Sequence, residues 1–155
     1  MGEIMGSGGM IAQTIQLALA PVFVLVAMGN IMNILSTRLA RVVDRGRQLQ
    51  KQHLETEGSE HDRIVREIRT LDRRIALITR SITLLVLSGL TIGFCVALLF
   101  VEELFDVNLQ QVAGAAFFLA IVLLMGALWQ FLREIRIAAG AIRISEMYLE
   151  PERKL

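Results

Sequence analysis

Asn30 to Leu49 reads NIMNILSTRLARVVDRGRQL, and within it an apolar segment passes into a basic one with no proline between. One helix running from lipid into water accounts for that change, so the chain reads as a membrane protein. Leu35, Leu39, Val42, Gly46 and Leu49 follow at steps of four, three, four and three, the repeat of a helix packed along a seam. Asn30, Asn33, Thr37, Arg41 and Asp44 fall on roughly the opposite face.

Three stretches contain no Asp, Glu, Lys, Arg or His: Thr14 to Leu35, Ile82 to Val101 and Val112 to Leu132. Each is long enough to cross a hydrocarbon core of ~30 Å as a helix. With 54% hydrophobic residues the 155-residue chain exceeds what one soluble domain carries. The 16 Lys and Arg residues are distributed one-sidedly: none precedes Arg38, eleven fall between Arg38 and Arg80, none separates the second and third spans, and five run from Arg133 to Lys154. The positive-inside rule makes that side cytoplasmic, with the N-terminus outside and the C-terminus inside. The outer connection, Glu102 to Gln111, carries Glu102, Glu103 and Asp106 and no basic residue. The opening MGEIMGSGGM lacks the basic start of a cleaved leader, so the first span is expected to stay attached, behind a disordered external stub that ends before Thr14.

Helix one is expected to start between Met10 and Gln13, bend at Pro21 and continue past the membrane to about Glu55. Gly58 then reads as its stop and Ser59 as the next cap, with Asp62 closing a capping box. In helix two, Ile64, Ile68, Leu71, Ile75, Ile78, Ile82 and Leu85 alternate steps of four and three, which predicts one straight helix lying antiparallel to the Leu35 to Leu49 stripe. Gly89, Gly93 and Ala97 form a small-residue ladder that predicts close helix contact inside the membrane. Asn108 is the expected cap of helix three, Trp129 its interfacial anchor, and Leu128, Leu132, Ile135, Ala139 and Ile142 its packing stripe, fading near Leu149. The fold class is all-α: a three-span transmembrane helical bundle (14–35, 82–101, 112–132) whose helices extend into a cytoplasmic antiparallel coiled-coil bundle. A hairpin over 36–80 and a tail over 133–150 belong to the same single domain, 1–155.

The run APVFVLVAMGNIMNILSTRLARVVDRGRQL, Ala20 to Leu49, resembles a family of small bacterial membrane proteins catalogued only as a domain of unknown function. The specific part is RLARVVDR, Arg38 to Arg45, and the similarity extends from about Ile15 through the third span. The resemblance implies a bacterial inner-membrane protein with about three spans. It brings no activity and no catalytic residues.

The residues themselves point to no catalysis: glycines stand singly rather than in a phosphate-cradling loop, and Ser, His and Asp do not converge. No cofactor is implied. His53, Glu57 and His61 have helical spacing, but Gly58 and Ser59 interrupt it, so no metal site is expected there. The single cysteine, Cys95, is a small apolar residue of the second span. Arg38, Arg41, Arg45 and Arg47 form a basic face without aromatics, which suits anionic lipid headgroups and not nucleic acid. Asn30, Asn33 and Thr37 place polar groups at membrane depth, where they need a partner: another helix of the same monomer, or a second copy in a homo-oligomer or around a pore. Ile68, Leu71, Ile75, Ile78, Gly89 and Gly93 are the expected helix-packing residues. The expected role is a homo-oligomeric scaffold or partner-binding module, with a cytoplasmic protein as a further partner. The alternative is a homo-oligomeric ion channel lined by helix one, since spans without ionisable groups argue against a pump.

Overall fold

The computed structural model describes residues 3–105 and 107–141, with side chains placed for residue 16, for 19–105 and for 107–140. These residues form three helices: α1 over Glu3–His53, α2 over Gly58–Phe105 and α3 over Gln110–Ala141. No strand occurs among the described residues. All three helices are long and apolar enough to cross a membrane. At 1.5 Å per residue the 51 residues of α1 and 48 of α2 make rods of about 77 and 72 Å. Both are more than twice the ~30 Å of a hydrocarbon core, so each has a long stretch beyond what such a core would cover.

α1 starts at Glu3, not near Met10, and the expected disordered stub is helical in this structure. The physical reason is continuity: each glycine costs only about 1 kcal/mol in a helix interior, and no proline intervenes before Pro21. Pro21 lies inside α1 with its ring buried. At the other end α1 closes at His53, two residues before the expected Glu55. Gly58 has φ +69°, a left-handed conformation that favours glycine, and α2 begins at this residue rather than after a Ser59 cap.

α2 is the central rod, with α1 and α3 both packed along it and touching each other far less. Ile64, Leu71, Ile78, Leu85 and Ile92 recur every seven residues, and all are buried. Leu35, Val42 and Leu49 recur likewise on α1 and join the same core, with Ile68, Ile75, Ile82 and Leu39 partly buried against it. The pairing is antiparallel: Arg45 reaches Glu67, His53 stacks on His61, and Met28 lies against Ser88. In water, each fully buried Leu or Ile of such a seam contributes about 1.5–3 kcal/mol.

The second seam, between α2 and α3, has a different chemistry. Cys95 Sγ donates to the Ala113 carbonyl at 3.3 Å and Ser88 Oγ to the Ala120 carbonyl at 2.7 Å. Seven residues further along each helix, Ser81 and Ala127 are both buried, and seven further again Arg74 meets Glu134. Small residues on both sides let the backbones approach, and hydroxyl and thiol hydrogen bonds then become possible. The expected α3 stripe is therefore corrected: Leu128, Leu132 and Ala139 are exposed and Ile135 half-buried, whereas Ala113, Ala120, Ala127, Glu134 and Ala138 are buried. Ile142 and the tail to 150 lie outside the described residues. Close contact on α2 runs along Ser81, Ser88 and Cys95 instead of the Gly89–Gly93–Ala97 ladder: Gly93 has nothing within 4 Å of an added Cβ, Ala97 is exposed, and only Gly89 faces neighbours, Met28 and Leu25. The α3 start also shifts by one, since the Ala113 amide donates to the Leu109 carbonyl, leaving Asn108 outside the first turn.

Candidate functional site

The polar centre of the molecule lies where all three helices leave their uncharged stretches. Arg38 follows the first by three residues, Arg74 precedes the second by eight, and Glu134 follows the third by two. Helix periodicity brings them together: Arg74 continues the Ser81–Ser88–Cys95 series of α2, and Glu134 continues the Ala113–Ala120–Ala127 series of α3. Glu134 is fully buried. Its Oε1 accepts from Arg74 Nε at 3.0 Å and from Nη2 at 2.9 Å. Arg38 Nε stands 3.4 Å from Oε2, an ion pair that leaves Oε2 without a hydrogen bond. The Arg38 guanidinium also lies 5.3 Å from the centre of the Phe131 ring, a cation–π contact with α3.

One carboxylate thus serves two guanidiniums, leaving the trio with one net positive charge. A buried ion cluster is weak evidence for stability, because desolvation offsets much of the attraction. Its geometric effect is clearer. Arg38, Arg74 and Glu134 belong to α1, α2 and α3, so the carboxylate joins the two helices that otherwise barely meet.

Beside the trio opens a groove of about 460 Å³, lined by Asn33, Ile34, Thr37, Arg38, Arg41, Val42 and Arg74. Asn33, Thr37 and Arg41 are spaced by four and present one face of α1; all three are exposed. Thr37 Oγ1 donates to the Asn33 carbonyl at 2.9 Å. Arg41 forms no ion pair among the described residues. A second cavity, of about 240 Å³, is mostly apolar and lies near Pro21, Cys95, Ala113 and Phe117.

The four arginines read from sequence as one basic face separate in three dimensions. Arg38 turns inward to Glu134 and Arg41 lines the groove. Arg45 crosses to α2, with Nε 2.9 Å and Nη2 2.8 Å from Glu67 Oε1. Arg47 pairs at 3.9 Å with Asp44 on a solvent-facing surface. Asn30 is exposed on α1. Leu71 and Ile78 are buried in the core, with Ile68 and Ile75 against it. The rings of His53 and His61 stack at 4.2 Å, and His61 Nδ1 donates to the Thr56 carbonyl at 3.1 Å. No group of three His, Cys, Asp or Glu residues placed to hold a metal ion occurs among the described residues.

Sequence reasoning missed Glu134 and Arg74. Both carried a signal: Glu134 is the only acid in the α3 series that otherwise holds alanine, and Arg74 the only base in the α2 series of Ser and Cys. The signal was hidden because the apolar stripe of α3 was sought among its large residues.

A family model described as a protein of unknown function (DUF2721) matches residues 18–144. Neither a curated protein nor a solved structure matches the chain.

Proposed function

Because the chain belongs to the DUF2721 family of proteins of unknown function, we propose a role from its own geometry: a homo-oligomeric scaffold or partner-binding module of the bacterial inner membrane. The observation that carries this reading is the unpacked face of α1, where Asn30 and Asn33 stand exposed among exposed Val26 and Ile34. An amide at membrane depth without a partner is costly, and a second copy of the same face supplies one. One-sided basic charge supports a cytoplasmic α1–α2 hairpin and α3 end, with the N-terminus outside. The antiparallel seven-residue repeat from Ile64 to Leu85 makes that projection a stiff coiled-coil-like arm, suited to holding a cytoplasmic protein away from the bilayer. A non-catalytic role is part of this proposal; it is supported by the place of both histidines beside the α1–α2 turn and by the burial of Cys95 against Ala113.

The test is the oligomeric state of the purified protein in mild detergent, by light scattering, together with disulfide cross-linking of an Asn33→Cys variant in a Cys95→Ala background. Oligomers cross-linked through position 33 are expected. A monodisperse monomer without cross-links overturns the reading. The same exposed amides favour one second reading, an ion channel with α1 nearest the axis. Ion-selective currents in planar bilayers that change on Asn33→Leu replace the scaffold by the channel; electrical silence removes the channel.

A further inference from the structure

We propose that the groove between α1 and Arg74 is a binding site for a phosphate group, and that Glu134 positions two of its guanidiniums. The proposal rests on the preceding section for the placement of this level at the membrane surface; its groove shares Asn33 and Ile34 with the α1 face proposed there for a second copy, and phosphate binding is read separately from oligomeric state. The groove holds three arginines, Arg38, Arg41 and Arg74, against one buried carboxylate behind them. Its surplus of positive charge is therefore two. Arg74 spends Nε and Nη2 on Glu134, and its Nη1 has no partner among the described residues. Arg38 is held by the carboxylate on one side and the Phe131 ring on the other. Both long side chains are thus fixed before any ligand arrives, so less rotamer freedom is lost on binding. Arg41 forms no ion pair among the described residues, and the Asn33 amide adds a donor at the apolar end of the groove.

Fixed guanidiniums recognise phosphate because its oxygens match their paired N–H groups, a geometry that a lone ammonium lacks. The level is also the right one for a headgroup. Arg38 and Arg41 immediately follow the uncharged stretch of α1, and Ile34 continues the groove toward it. A cavity of about 460 Å³ admits a phosphate together with its glycerol. Arg45 and Arg47 are not part of this site, since one is committed to Glu67 and the other faces solvent beside Asp44.

The same chemistry is offered by an anionic phospholipid and by a soluble phosphate, and one experiment separates them. The full chain in detergent is titrated with phosphatidylglycerol, with phosphatidylcholine and with inorganic phosphate, and binding is read by native mass spectrometry. Wild type is compared with Arg41→Gln, an exposed position that leaves the Arg38–Arg74–Glu134 trio intact, and with Arg47→Gln as a control of equal charge. Arg41→Gln is expected to weaken binding about fivefold, the effect of one basic residue at a lipid surface, while Arg47→Gln changes it less than about twofold, as for a screened surface charge. Phosphatidylglycerol binding with this pattern, in preference to phosphatidylcholine, supports the site with a lipid as its source. Inorganic phosphate binding with this pattern supports it with a soluble source. Equal effects of the two variants, or no preference for any phosphate anion over phosphatidylcholine, overturn the proposal.

Discussion

Replacing Glu134 is the sharpest perturbation this fold offers, because one side chain with no exposed surface faces guanidiniums from two other helices. In Glu134→Leu, Arg74 loses two hydrogen bonds and both arginines lose their counter-charge. Breaking a buried pair by removing one partner costs about 3–5 kcal/mol. Arg74 keeps 18% of its side chain exposed and Arg38 31%, so water recovers part of that and the lower end of the range is expected. Glu134→Gln keeps an oxygen where Arg74 needs an acceptor but removes the charge. Its hydrogen bonds from Arg74 stay charge-assisted through the guanidinium, so only the ionic part is lost and the cost falls below that of Leu, at roughly 1–2 kcal/mol. The double variant Arg74→Met with Glu134→Leu removes both members of the closest pair, and Arg38 can extend toward solvent along its stem. It should therefore be more stable than Glu134→Leu alone, since a well-packed apolar pair often matches a buried ionic one. The assay is unfolding by sodium dodecyl sulfate in mixed micelles, followed by circular dichroism and by the fluorescence of Trp129, five residues from the site on α3. The order wild type, Gln, double variant, Leu or wild type, double variant, Gln, Leu is expected. A Glu134→Leu protein within about 0.5 kcal/mol of wild type, the range of an ordinary surface substitution, refutes the argument that the trio ties the helices.

Further predictions concern the two seams and the topology. Ile68→Asp with Ile75→Asp introduces charges into the partly buried side of the α1–α2 seam, and loss of helical circular dichroism from the hairpin is expected; unchanged ellipticity and assembly would contradict the packing. Ser88→Ala removes one interhelical hydrogen bond and should cost about 0.6 kcal/mol, whereas Ser88→Leu must push α3 away and should cost at least about 1–3 kcal/mol, both read by the same unfolding assay. Equal stability of these two variants would refute close approach at Ala120. A cysteine introduced by Ser59→Cys at the α1–α2 turn, in a Cys95→Ala background, should react with an impermeant maleimide only after the cells are opened; labelling of intact cells would invert the proposed orientation.

The all-α class, the three apolar stretches and the long core seam between α1 and α2 were legible in the amino-acid sequence. These depend on chemistry that lies along one dimension: bilayer thickness sets how long an uncharged run must be, and a seven-residue repeat of large apolar side chains marks the buried face of a helix. Leu35, Val42 and Leu49 facing Ile64, Leu71 and Ile78 could be read that way because each stripe is apolar along its length. The extent of α1 toward its start could not, since a glycine-rich opening is weakly unfavourable to a helix without forbidding one. The α2–α3 seam and the polar centre emerge from how the three helices pack. Inside an apolar environment large hydrophobic residues gain little from facing one another, so the packed stripe is made of alanine, serine and cysteine, residues whose smallness matters only once two backbones are seen to approach. Glu134 follows from the same cause. Its burial rests on its place in that alanine series, and its charge is tolerated because Arg74 and Arg38 arrive from 60 and 96 residues away in the chain. No local pattern records a meeting of three helices, because the spacing that matters there is between helices and not along them.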